Sequence, residues 1–251
     1  MPHPVEQLMN TLFPEQLPGP VKECTYIHVI EKIDTYLIKN EIPIDHLPAL
    51  LVTWRKELPC ELLEYNQETV NNILLLLSII LQDDSSVSNL EKHLISRKAG
   101  TVSTILGWMG IRAKKSVPNL LWAIADNQSS AMSAKRALSR IGIDRNELLS
   151  YFRQLLDREV HIGEMYCGEA FANLGFLVVD LGYDDDQEFI NILLQAARHN
   201  NPLFRTAVIE VINEIIQGSY EKLSPIIELL RSDSNEQIRL AAQKIIDYMN
   251  S

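Results

Sequence analysis

The chain has 251 residues, 46% of them hydrophobic but only 7% aromatic, with ten glycines and a formal net charge of −10. That content can bury a sizeable core and suits helices better than a many-turned β fold, which draws on β-branched and aromatic strands with frequent Gly/Pro turns. The acidic balance argues against a chain that binds nucleic acid over its whole surface, because phosphate binding needs excess positive charge.

In chain order, Met1 to Asn10 show neither a basic start nor an apolar core, so no signal peptide is read, and residues 1–20 are taken together. With Pro14 and Pro18-Gly19-Pro20 they read as an irregular lead-in. Residues 21–39, 44–57 and 67–82 read as three helices punctuated by Pro43 and Pro59. The apolar run 73–81, interrupted by Ser78, is far short of the roughly 20 residues of a membrane span and reads as a helix buried on all sides. Residues 21–85 form a helical cap or diverged repeats, since a stacked array must close its terminal apolar face with an atypical unit.

From residue 86 onward the sequence repeats. Residues 116–142 split into two apolar-periodic halves. Val117, Leu120, Leu121 and Ile124 mark the first, and Ala134, Ala137, Leu138 and Ile141 the second. A polar turn at 126–130 is predicted between them, and Pro118 falls in the first helical turn, where its missing N–H costs nothing. The second half recurs down the chain, so that Leu106, Leu138, Leu174, Ile212 and Ile246 occupy one equivalent core position at spacings of 32, 36, 38 and 34 residues. Gly110, Gly142 and Gly218 sit where helices are expected to stop.

Val117-Pro118, Asp126 and Ile141-Gly142 in one repeat, Asn201-Pro202 with Arg205 and Ala207 in another, and Pro225, Asp233, Ile238-Arg239 and Ala241-Ala242 in the last carry an outline that resembles HEAT repeats, of the phycobilisome-lyase-like type. The resemblance covers residues 86–251 in about five units. It implies a right-handed all-α solenoid of stacked antiparallel helix pairs, an armadillo-type superhelix, in which second helices line the concave side. It also implies that Arg205 and Arg239 bond to a turn Asp or Asn, with Asp233 or Asn200 available. Repeats of this kind host many roles, so the resemblance speaks for fold more than for function.

Chemistry is harder to find. Cys24, Cys60 and Cys167 are odd in number and in no CxxC spacing, which supports neither a disulfide framework nor a zinc site and fits a cytoplasmic, reducing compartment. None of the six histidines precedes a Glu, unlike the paired His-Glu dipeptides of iron-binding HEAT enzymes. His161 and Glu164 share a helix face but offer two ligands where a metal needs three or four. Asp184-Asp185-Asp186 reads as an acidic turn capping the next helix. Cys167 opens a helix with no base partner in sequence and reads as a core thiol. There is no G-x-S-x-G elbow and no Walker loop. No catalytic residue, cofactor or metal is assigned.

Charge segregation is the strongest functional signal. Residues 1–91 carry net −9, residues 92–153 net +8 and residues 154–251 net −9. Arg136 and Arg140 lie four apart on one helix face, and Arg112, Lys114 and Lys115 follow the preceding second helix. At the position equivalent to Arg140 other repeats carry Trp108, Phe176, Glu214 and Tyr248. Arg112, Arg136, Arg140, Trp108 and Phe176 are therefore the expected partner-binding set, since Arg beside exposed aromatics typifies binding hot spots. The expected function is a non-catalytic protein-interaction scaffold or adaptor that takes an acidic partner on a concave basic surface, with self-association through basic-to-acidic contacts as a further outcome. The alternatives are a HEAT-like nucleic-acid binder and a bilin lyase-type protein; no membrane role is expected.

Overall fold

The computed structural model describes residues 2–14, 26–94, 96, 98–126, 128–157, 166–215 and 220–249. Every regular element among them is helical. The α-helices are α1 (Pro4–Leu12), α2 (Ile27–Lys39), α3 (Leu47–Trp54), α4 (Gln67–Ile80), α5 (Ser85–Glu91), α6 (Ala99–Met109), α7 (Val117–Asp126), α8 (Gln128–Ile141), α9 (Arg145–Asp157), α10 (Tyr166–Asp180), α11 (Gln187–Ala197), α12 (Pro202–Ile215), α13 (Tyr220–Arg231) and α14 (Glu236–Met249). Short 3-10 turns fill Ile44–His46, Cys60–Leu62 and Gly110–Ser116. No single described helix is long and apolar enough to cross a membrane.

The chain forms two compact units, Met1–Ala123 with Ser129–Gly142, and Ile124–Gln128 with Ile143–Ser251. In the first, α1 packs on α4 and α5, α3 on α4, and α2 on α6. In the second, α9, α11 and α13 form one row, and α10, α12 and α14 form another. The rows are joined pairwise by α9–α10, α11–α12 and α13–α14, and within each row a helix packs on the next, α9 on α11 and α11 on α13 in one, α10 on α12 and α12 on α14 in the other. Such neighbour-only stacking is the packing of an all-α solenoid, in which a helix pair buries its stripe only against the next pair. The five equivalent core positions, Leu106, Leu138, Leu174, Ile212 and Ile246, are all buried. An edge-to-face ladder runs through the second unit, with Phe152 on Phe171 at 5.0 Å and Phe171 on Phe204 at 5.8 Å between ring centroids.

Two local devices set helix ends and spacing. Gly110 and Gly142 close α6 and α8 at φ 57° and 80°, a left-handed conformation that costs glycine nothing. Gly168 lets α10 approach the chain at Leu203, where an added Cβ would meet the Leu203 carbonyl oxygen at 2.8 Å. Gly218 lies outside the described residues.

The structure corrects the sequence reading in three places. Part of the expected irregular lead-in is helix α1, because Val5, Leu8, Met9 and Leu12 form an i, i+3, i+4, i+7 stripe that is buried completely or nearly so. Pro4 stands at its first position, and the His3 ring nitrogen accepts the Val5 N–H at 3.2 Å as a cap. The helix expected over 44–57 is a 3-10 turn followed by α3, which stops at Trp54. The turn expected over 126–130 is narrower, since α7 runs through Asp126 and α8 begins at Gln128. Within residues 21–39, helix α2 begins at Ile27, and 21–25 lie outside the described residues.

Candidate functional site

Helix α2 carries the residue on which the basic set converges. Its buried stripe is Val29, Ile30, Ile33, Asp34 and Leu37, so an aspartate occupies an apolar register position. The Asp34 side chain is 7% exposed. Its Oδ1 accepts the Trp108 indole N–H at 2.8 Å and an Arg140 N–H at 2.6 Å. Arg136 stands 3.5 Å from Oδ2, an ion-pair distance too long for a good hydrogen bond. Burying a carboxylate is costly unless it is paired and hydrogen-bonded, and this arrangement supplies both.

Trp108, expected as an exposed aromatic flank, is therefore corrected. It is 4% exposed, and its indole is spent on Asp34. Trp108, Arg136 and Arg140 do come together, but around a carboxylate of their own unit. Arg112, on the 3-10 turn Gly110–Ser116, donates to the Leu81 carbonyl and pairs with Asp84 at 3.3 Å. Lys114 donates to the Gly142 carbonyl at 2.8 Å and Lys115 to the Ser88 hydroxyl at 2.7 Å. Phe176 belongs to α10 in the second unit, where it is half-buried. The repeat position shared by Trp108, Arg140, Phe176, Glu214 and Tyr248 is thus not a solvent position throughout. It is buried at Trp108 and 65% exposed at Tyr248.

Two further members of the basic block, Arg145 and Arg153, make the same kind of tie in the second unit. Arg145 donates to both oxygens of Asp186 at 2.6 Å and to Glu188 at 3.0 Å, and Arg153 pairs with Glu188. Asp186 also caps α11 by accepting the Glu188 and Phe189 N–H groups, as the acidic-turn reading expects. The Arg145 hydrogen bond holds the Asp186 carboxyl below its ordinary range, against a smaller opposing push from burial. Much of the charge segregation visible in the sequence is consumed by bonds between neighbouring layers.

Of the two expected arginine contacts with a turn Asp or Asn side chain, Arg205 makes one, to Asp233, and Arg239 instead holds backbone carbonyls. Arg205 grips both Asp233 oxygens, at 2.6 and 3.1 Å, and donates to the carbonyls of His199 and Asn200 at 2.7 and 3.0 Å. Arg239 repeats the lower half of that grip on the carbonyls of Asp233 and Ser234, at 2.8 and 2.9 Å. Each arginine thus closes the turn five and six residues before it. Asp233 is pushed up by burial, but the bonds from Arg205 and the Asn235 N–H and the charges of Arg205 and Arg239 outweigh that push and leave it below the ordinary range.

Asp34 is the residue that sequence reasoning missed. The available signal was an acid inside the apolar stripe of an amphipathic helix, a pattern that demands a buried partner. No group of three or more metal-ligating side chains occurs among the described residues, and His161 and Glu164 lie outside them. Cys167 is half-buried at the start of α10.

Comparison with known proteins adds one finding. Residues 175–246 match the family model of HEAT repeats. No curated protein and no solved structure matches the chain. The stacked helix pairs of the second unit and the arginine grip on their turns accord with that match, which covers residues 175–246 of the chain.

Proposed function

We propose that this chain is a non-catalytic protein-interaction scaffold whose partner presents an acidic segment to the outward face of α8. The observation that carries the reading is how α8 divides. Ala131, Ala134, Ala137, Leu138 and Ile141 are buried, while Met132, Arg136 and Ser139 are exposed. Met132 and Arg136 are four residues apart and share one face of a helix whose other face is locked into the core. Met and Arg are among the residue types enriched at interfaces, and a rigid presenting helix lowers the ordering cost of binding.

HEAT repeats commonly mediate protein interactions, which fits the scaffold role. The nucleic-acid alternative is weaker, because Arg112, Lys114 and Lys115 each already hold an acceptor of their own unit. The bilin alternative rests on likeness of the repeats alone and gains no residue from the structure.

The test is capture of binding proteins on the immobilised chain at two salt concentrations, for wild type, Arg136→Glu and Arg112→Glu, with duplex DNA as a parallel probe. A partner that Arg136→Glu loses and salt weakens supports the reading. Salt-sensitive DNA binding in place of a protein partner would replace it with the nucleic-acid alternative.

A further inference from the structure

The Asp34 cluster holds more positive charge than it neutralises. One carboxylate faces two guanidinium groups, leaving a local surplus of one positive charge. Each guanidinium carries five N–H donors. Among the described residues, Arg140 places one hydrogen bond, to Asp34, and Arg136 places none. Arg205 shows what a satisfied arginine looks like in this fold, with four bonds to four different acceptors.

The two guanidinium groups are also unequal in access. The Arg140 side chain is 21% exposed and tied at 2.6 Å, whereas that of Arg136 is 52% exposed and held only by attraction at 3.5 Å. Met132, one turn before Arg136, is 56% exposed.

We propose that Arg136 and Arg140 form a single anion-recognition point for one carboxylate side chain of a protein partner, with Arg136 as the contacting fork. Arg140 is the second donor, held in place by Asp34 and through it by the Trp108 indole. This rests on the reading that the partner docks on α8 and names the group it recognises there. The surplus charge attracts an acid, and the unfilled donors of Arg136 match carboxylate geometry in two-pronged fashion. Met132 adds an apolar contact one helical turn away, so the fitting partner carries Asp or Glu beside an apolar residue. Pre-orientation by Asp34 removes part of the ordering cost that an isolated arginine pair would bear.

The Trp108 indole N–H is a built-in reporter, because it shares the Asp34 oxygen with Arg140. The experiment titrates the full chain with a capped helical peptide bearing a Leu–Glu pair one turn apart and follows the Trp108 indole proton by NMR, assigned with Trp108→Phe. The expected result is a shift that weakens with salt and is absent with the Gln version of the peptide. Arg136→Gln should bind at least five-fold more weakly while its Trp108 indole proton stays dispersed and protected from solvent exchange, which shows that the Trp108–Asp34–Arg140 cluster is intact. Arg136→Lys, which keeps charge but not the fork, should fall between the two.

No shift at millimolar peptide, equal shifts with the Gln peptide, or undiminished binding by Arg136→Gln would each overturn the anion point. If such a result came with a captured protein partner that Arg136→Gln retains, the scaffold reading would stand on another surface. If no protein partner were captured either, both would fall.

Discussion

Asp34 in the first unit and Asp233 in the second are both nearly buried carboxylates facing arginines, yet their surroundings differ in completeness. Asp233 meets Arg205 through two parallel bonds, and two further Arg205 donors are taken by the His199 and Asn200 carbonyls, so that four of its five are filled. Asp34 meets two arginines, fixes one of them and leaves the other half-exposed. The first arrangement closes a turn and keeps its arginine largely out of reach, with the Arg205 side chain 12% exposed. The second stabilises its unit while keeping donors and charge at the surface. Identical residue types at a buried acid thus serve fold in one unit and supply a recognition candidate in the other, separated by the count of filled donors and by the exposure of the arginine, 12% at Arg205 and 52% at Arg136.

The largest expected effect is on the closed arrangement. Arg205→Ala should destabilise the second unit by about 3–5 kcal/mol, because it leaves the buried Asp233 unpaired and strips two turn carbonyls of their donor. Urea unfolding of that unit is the measurement, and a loss below about 1 kcal/mol would mean that the arginine grip is ornamental. In the first unit, Arg140→Ala should cost about 3 kcal/mol by the same reasoning, since only the Trp108 hydrogen bond and the looser Arg136 ion pair would remain on the buried Asp34. Arg136→Ala should cost only about 0.5 kcal/mol, as expected for an exposed ion pair. Equal effects at the two positions would erase the distinction between the tied and the presented arginine.

Packing sharpens the comparison next. Gly168→Ala should cost about 1–3 kcal/mol, because the new methyl group meets a backbone oxygen that cannot rotate away. A smaller effect, read from the shift in urea midpoint, would show that α10 and the Leu203 turn slide more freely than their spacing indicates.

The pH response is the subtlest test. Asp186 and Asp233 are depressed in the folded state relative to about 3.9 in the unfolded chain. Their contribution is therefore fully present above the unfolded value and is lost as pH falls through the depressed folded values. Stability of the second unit should hold from neutrality to about pH 4 and then decline. Asp186→Asn, which lacks that linkage, should start lower and decline less steeply. Parallel declines in the two proteins would show that Arg145 does not hold Asp186 in its ionised form.

Much of the fold was legible because helical periodicity is local. The core positions Leu106, Leu138, Leu174, Ile212 and Ile246 follow from spacing alone, and Pro118, Gly110 and Gly142 mark helix ends through backbone constraints that need no tertiary partner. Helix α1 is obscured in the sequence because Pro2, Pro4 and Pro14 flank it, and proline marks a helix start as readily as a loop, which hides the short stripe Val5, Leu8, Met9 and Leu12. The candidate site was legible only in half. Arg136 and Arg140 stand out by their spacing, but Trp108 was misplaced because a repeat position fixes a register and not an exposure.

The sequence by itself determined the all-helical class, the repeat register and the segregation of charge, since each depends on residues close together in the chain. Only the tertiary structure decided what that charge does. Asp34 lies 106 residues from Arg140 and 74 from Trp108, and nothing in local spacing brings them to one point. Stacking of the layers does so, and the low polarisability of a buried site then makes the pairing obligatory for Asp34 while leaving Arg136 at the surface.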